Sequence, residues 1–194
     1  MTFAKPGIRD SAARTALVRA TAQIMLEEGY AAATSRRVAA KAGVKPALVH
    51  YYFPTMDDLF LAVFRAGAEN NLERQREALI DSEPLHALWR LNSAQGSRLW
   101  MEFMALANHR KAIRGEISAY SERYRDVEEA VLALVLRAHG VDTTEFPPVV
   151  MSMIVASLAR ILMLEQGLGI TRGHPEAQAF IDRLLDRFEM PASG

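Results

Sequence analysis

An all-α protein is predicted, on three observations. Apolar residues recur at three- and four-residue spacing along nearly the whole chain, no stretch sustains strand-like alternation, and the breaks fall at Gly, Pro and capping residues. With 194 residues, half of them hydrophobic, the chain can build one large or two small cores.

The elements follow in order. Leu17, Ala20, Ile24 and Met25 form the inner stripe of a first helix over 11–28, stopped by Gly29. Thr34 is an N-cap for a short second helix, with Val38, Ala39 and Ala42 facing inward and Gly43 as its stop. Pro46 fits the first turn of a third helix, which ends before Pro54. Thr55 and Asp58 make a capping box for a fourth helix over 56–79. Behind it, helices are expected from near Ser82, over 95–107, 111–139, 148–166 and 175–187. The polar loop "GVDTTEFPP" and the stop "GLGITRG" separate the last three, and "MPASG" is expected to fray.

Composition narrows the classes. The absence of Cys excludes disulfides, thiolate metal sites and cysteine nucleophiles. The start "MTFAKPGIRD" has no apolar core of a secretory signal, and no run of about 18 apolar residues predicts a membrane span. A cytoplasmic location without membrane attachment is expected. Net charge is zero but unevenly spread: residues 1–53 carry eight Lys/Arg against three acids, and residues 54–194 carry 15 against 20. A basic front module facing an anion is the physical implication.

Three short helices in about 45 residues, the second and third joined by a tight Gly turn, spell a helix-turn-helix. Arg36 and Arg37 stand in the first turn of the second helix, where the helix dipole disfavours cations by roughly 0.3–1 kcal/mol each. An external anion such as a DNA phosphate would reverse that cost; otherwise both side chains are solvated and screened. In the third helix, "PALVHYYF", Val49 and Phe53 share one face at 100° per residue. Ala47, His50 and Tyr51 lie opposite, with Leu48 and Tyr52 on the flanks. His50 and Tyr51 therefore point outward with Lys45, or Tyr51 packs on a neighbouring loop or the fourth helix.

"LVRATAQIMLEEGYAAATSRRVAAKAGVKPALVHYYFPTMDDLFLAVF" resembles the N-terminal DNA-binding domain of TetR-type transcriptional regulators. The resemblance rests on the apolar first helix, Gly29-Tyr30, the Thr34 cap, "VAAKAGV", Tyr52-Phe53 and "DDLF". It implies a helix-turn-helix domain over 1–55 and a helical ligand-binding and dimerising domain over 56–194. It further implies phosphate contacts at Thr34 and Ser35 and base reading by Arg36. The variable start of the recognition helix then falls at Lys45, Pro46 and Ala47, and backbone contacts at His50 and Tyr51. Two residues depart from the pattern: Leu48 replaces a small polar residue, and Met56 replaces a Lys that commonly meets phosphate, which removes about one unit of salt slope.

In the rear part, Trp89, Trp100, Phe103, Met104, His109, Tyr120, Tyr124, Met151 and Met163 are core formers at helical spacing. The resemblance makes some of them the lining of a pocket for an apolar or amphipathic effector. Arg160 is a lone charge in "MSMIVASLARILMLEQ"; it snorkels, pairs across a dimer, or meets a ligand carboxylate. That helix and the last one are the candidates for a homodimer that sets two recognition helices on a palindromic operator. The expected activity is ligand-released repression, with no enzyme chemistry, cofactor or metal. "EPLH" is formally Glu-x-x-His, but it has Pro84 at a helix start and no second copy. A helical scaffold without DNA binding is the alternative, and it would leave the Arg pair and Tyr51 without a role.

Overall fold

The computed structural model describes residues 6–79, 81, 83–93 and 96–189. Among them there is no strand; the chain forms α1 (Pro6–Glu28), α2 (Ser35–Ala42), α3 (Pro46–Tyr52), α4 (Met56–Leu79), α5 (Pro84–Ser93), α6 (Gly96–Ala107), α7 (Lys111–Ala138), α8 (Pro148–Gly167) and α9 (His174–Glu189). The expected elements are all present. α1 begins at Pro6 rather than near residue 11, because Pro is well placed in a first helical turn. A 3-10 turn, Tyr30–Ala32, follows Gly29, which no apolar period announced. Ser82, Gln95 and the tail "MPASG" lie outside the described residues.

Two compact units divide the chain, and the divisions fall within helices: one unit runs to Glu69 and takes in Arg98–Ser118, and the other comprises Asn70–Ser97 and the chain from Ala119 on. In the first unit α1 packs on α2 and α2 on α3. Leu17, Ile24, Met25, Val38 and Val49 are fully buried there. The Thr55–Asp58 box opens α4 as anticipated: Thr55 N donates to Asp58 Oδ2 at 2.9 Å, and Asp58 N donates to Thr55 Oγ1 at 3.1 Å. Phe64 meets Phe103 edge-on at 5.2 Å. Tyr30 N donates to Glu102 Oε2 at 2.8 Å, and Arg110 pairs with Asp57, so α6 and the start of α7 are tied to this unit by polar contacts as well as apolar ones.

In the second unit α5 packs on α8 and α9. Leu85, Trp89, Ala159, Ile181 and Leu185 form one core cluster, and Ala78, Ala87, Leu88 and Val131 a second. The expectation of no membrane-length segment needs one correction. α8 is long and apolar enough to cross a membrane, with a mean hydropathy of 1.7 over its most apolar window, because Arg160 and two Ser interrupt the run without lowering its average much. Ser152, Ala156 and Ala159 nevertheless face inward as part of the unit's packing.

Gly43 sets the angle between α2 and α3. It sits in the left-handed region at φ 69°, and a Cβ added there would meet nothing within 4 Å. Gly43→Ala should therefore cost about 1–2 kcal/mol from backbone conformation alone. Gly43→Asn should cost less. Urea unfolding of the two variants beside the parent chain measures the difference.

Candidate nucleic-acid interface and a buried polar row

Thr34 is the N-cap of α2, with extended backbone, and its hydroxyl accepts from Arg37 N at 3.4 Å. At the other end Gly43 N reaches Ala40 O at 3.2 Å and Val44 N reaches Ala39 O at 3.0 Å, which closes the helix and turns the chain. Pro46 starts α3, whose fixed φ suits a first turn. Seven residues leave α3 almost no stability of its own, so its position depends on packing. Val49 and Phe53 supply that packing, at 1% and 3% exposure.

The outward face follows from this anchoring. Tyr51 is 69% exposed and meets the Tyr52 ring edge-on at 4.9 Å rather than packing into a loop or α4. Thr34, Arg36, Lys45, Pro46, Ala47 and His50 are exposed, and Ser35 is half-buried. These eight residues thus lie at or near the surface of two adjacent helices and their cap, where hydroxyl, guanidinium, ammonium and imidazole donors are available to an anion. Leu48 and Met56 are half-buried.

Not every basic residue of this module is available. Arg37 pairs with Glu28, and Lys41 Nζ lies 2.6 Å from Glu27 Oε2. Lys41 is the main reason that the Glu27 carboxyl is held below its usual range, helped by Gln23. Arg14 lies over the Phe53 ring at 5.1 Å. The sequence held a signal for two of these contacts: two acids in the last turn of α1 oppose the helix dipole and call for a cation from elsewhere. Beside α3, a cleft of about 440 Å³ is bordered by Arg14, Phe53, Asp58, Arg65 and Glu69. Its charges alternate in sign.

The nine pocket candidates divide between the units. Trp100, Phe103, Met104 and His109 belong to the first, where Phe103 is buried and Met104 and His109 are exposed. Trp89, Tyr120, Tyr124, Met151 and Met163 belong to the second, where Trp89 is inside the α5–α8–α9 core.

The second unit also holds a polar row that apolar patterning did not reveal. Tyr120, Tyr124 and Glu128 are spaced four apart on α7 and share one face. Asn71 Nδ2 donates to Tyr120 Oη at 2.8 Å, and Gln75 Nε2 donates to Tyr124 O at 3.2 Å. Glu128, only 5% exposed, accepts from Asn92 Nδ2 at 2.8 Å and from Ser152 Oγ at 2.5 Å. Burial, and then the Glu128 charge, push the Tyr124 hydroxyl well above its ordinary range, and burial raises that of Tyr120. Both stay neutral donors. Gln75 is fully buried, and its Oε1 has no partner. Its i,i+4 relation to Asn71 on α4 was legible, but which side of α4 met α7 was not.

Glu83, His86 and Glu189 also come together, with ligand-type atoms within 4.8 Å of one another. Glu189 accepts from both the backbone N of His86, at 2.9 Å, and its ring Nδ1. The carboxylate thereby caps the first turn of α5 and fastens α9 to it.

Known proteins share this fold. Residues 17–63 match the family model described as bacterial regulatory proteins, tetR family. The HTH-type transcriptional regulator BetI of Rhizobium meliloti (strain 1021) is 27% identical over 122 residues, 58% of this chain. The match spans about 60% of that protein's length. Among solved structures, a TetR transcription regulator from Haloarcula marismortui ATCC 43049 superposes with a TM-score of 0.71 at 22% identity, covering 91% of this chain and 98% of the other. A protein from Saccharomonospora viridis, described as a transcriptional regulator in complex with choline, gives 0.74 at 17% identity, covering 91% and 96%. At these identities the structural matches establish a shared fold.

The buried row makes a stability prediction. Ser152→Ala leaves Glu128 with one donor fewer in a place that water does not reach, and should cost about 1–3 kcal/mol. Thermal and urea unfolding would report it, and an unchanged midpoint would mean that Glu128 is satisfied by other means.

Proposed function

We propose, from the premise that the chain belongs by its N-terminal domain to the tetR family of bacterial regulatory proteins, that it is a DNA-binding transcriptional regulator controlled by a small molecule. The observation that carries the reading is the outward face of α3: Val49 and Phe53 anchor the helix, and Lys45, Ala47, His50 and Tyr51 are left for the major groove. Residues 1–55 act as the DNA-binding module and residues 56–194 as the effector and dimerisation region. Thr34 and Ser35 meet phosphate at the start of α2, and Arg36 reads a base edge. Lys45, Pro46 and Ala47 set the preference at the start of α3, and His50 and Tyr51 hold the backbone. Arg37 is engaged with Glu28 and positions α2 rather than reading DNA.

The active form is a homodimer on a palindromic operator. Only 17% of the apolar window of α8 is buried within the chain. Ile154 at 54% exposure on α8 and Phe180 at 56% on α9 are large apolar groups without cover. A second copy supplies that cover through a two-fold interface, in which each helix pair meets its own counterpart. The protein represses, and an effector releases it by favouring a dimer whose two α3 helices no longer match successive major grooves. Such a ligand must bind the two states unequally, otherwise no population moves. Apolar or amphipathic molecules are the effector class, and the choline complex of the S. viridis neighbour is an example of a small amphiphile held by this fold. The protein works in the cytoplasm, where its operator is.

A mobility shift on DNA upstream of the coding sequence tests the central reading. One palindromic site should bind better than random DNA at moderate salt, and equal binding to both would sink it. Arg36→Ala should cut discrimination at one operator position by about 1–3 kcal/mol, whereas His50→Ala should weaken all sequences alike. Lys45→Ala should lower the slope of log affinity against log salt by about one. Ile154→Glu should turn the dimer into a monomer in sedimentation velocity and abolish operator binding with it.

A further inference from the structure

The packing of α9 on α5 brings together two pairs of ligand-type side chains. Glu83 stands just before α5 and His86 in its first turn, three residues on. Asp186 and Glu189, also three apart, lie in the last turn of α9. Side chains at that spacing share one side of a helix. Glu83, His86 and Glu189 each offer a ligand atom within 4.8 Å of the others. The His86 ring has a carboxylate at both nitrogens: Nδ1 meets Glu189, and Nε2 lies 3.5 Å from Asp186 Oδ1. In the sequence only the Glu-x-x-His half of this arrangement stood out. Its complement is an Asp-x-x-Glu pair 103 residues further on.

Three carboxylates thus converge on one imidazole. No Lys or Arg pairs with any of them among the described residues, and His86 is the one charged partner of Asp186 and Glu189. Glu189 is the most enclosed, with 7% of its side chain exposed. It and Asp186 stand at the C-terminal end of α9, where a helix disfavours anions. The His86 backbone N occupies only Oε1 of Glu189; Oε2 is turned to the ring. The positive charge the cluster supplies for itself is at most one proton on His86, against three carboxylates. An enclosed carboxylate with too little counter-charge is costly, and a cation from outside the chain removes that cost.

We infer that Glu83, His86 and Glu189 bind a divalent transition-metal cation of the Zn2+ type, with Asp186 orienting the imidazole, and that the ion fastens the end of α9 to the start of α5. The ion takes the place of the proton between His86 Nδ1 and Glu189 Oε2, and the exposed Glu83 carboxylate closes on it. Two carboxylates and one divalent ion sum to zero charge. Nε2–H then donates to Asp186, the kind of carboxylate contact that holds a ligating histidine in place. Oε1 of Glu189 keeps the His86 amide, so the cap on α5 survives binding. Imidazole beside carboxylates suits Zn2+ and its first-row neighbours. Mg2+ and Ca2+ take oxygen ligands alone, and Cu(I) takes sulfur.

Isothermal titration of the EDTA-treated full chain, carrying no affinity tag, tests this with Zn2+, Mg2+ and Ca2+. One Zn2+ should bind per chain with a Kd of about 1 μM or tighter and raise the thermal midpoint, and Mg2+ and Ca2+ should do neither at the same concentration. Glu189→Gln keeps an acceptor for the His86 amide but loses the charge, and should weaken Zn2+ by at least about tenfold. Glu83 is exposed, so Glu83→Gln gives the same readout without risk to the fold. The other enclosed His–Glu contact, His174 Nε2 at 2.9 Å from Glu165 Oε2, is the control: His174→Gln should leave stoichiometry and affinity unchanged. No binding of Zn2+, an equal response to Mg2+, undiminished Zn2+ binding in Glu83→Gln, or loss of the ion in His174→Gln instead would each overturn the inference.

Discussion

The anchoring of α3 by Val49 and Phe53 is the interaction on which the rest of the front module depends. A seven-residue helix cannot hold itself in water. Once those two side chains are buried, 100° of rotation per residue leaves no freedom for the others: His50 and Tyr51 must face solvent, and Tyr52 must lie at the margin. Arg14 above the Phe53 ring adds to the same anchor from α1. The left-handed turn at Gly43 then decides at what angle the anchored helix is presented relative to α2.

Charge in this module serves two purposes that the residue types alone do not separate. Arg37 and Lys41 turn back to the acids that end α1, and so fasten α2 to it. As exposed pairs they contribute little to stability, but they hold two long side chains against α1. Arg36 and Lys45 remain exposed. The basic surplus of the first 53 residues is thus smaller on the presented surface than a count of Lys and Arg suggests, and the specific positions matter more.

In the second unit, α7 carries polar groups where a helix of its length would ordinarily bury apolar ones. Tyr120, Tyr124 and Glu128 line up at four-residue spacing, and Asn71 and Gln75 on α4 repeat that spacing opposite them. A polar row of this kind is expensive to bury and poor at packing. It reaches the same helices as the apolar clusters, since Asn92 of α5 and Ser152 of α8 both donate to Glu128.

How much of this the sequence determined depends on the range of the interaction. Helix positions, the Thr34 and Asp58 caps, the Gly43 turn and the split of α3 into two faces are all local, set by residues within four positions of each other, and they were legible from residue order. The 3-10 turn after Gly29 was not, since its placement involves Glu102, 72 residues away. The acids ending α1 called for a cation, but that Arg37 answers Glu28 is a matter of how α1 and α2 cross, and the division of the nine aromatic, Met and His candidates between two units was not legible either. Tyr120 and Tyr124 stood out in the sequence as large side chains, but Glu128, Gln75 and Ser152 read as ordinary polar positions. Only tertiary packing buried them together, because burial depends on which helix face meets which, and a single helix's periodicity does not name its partner.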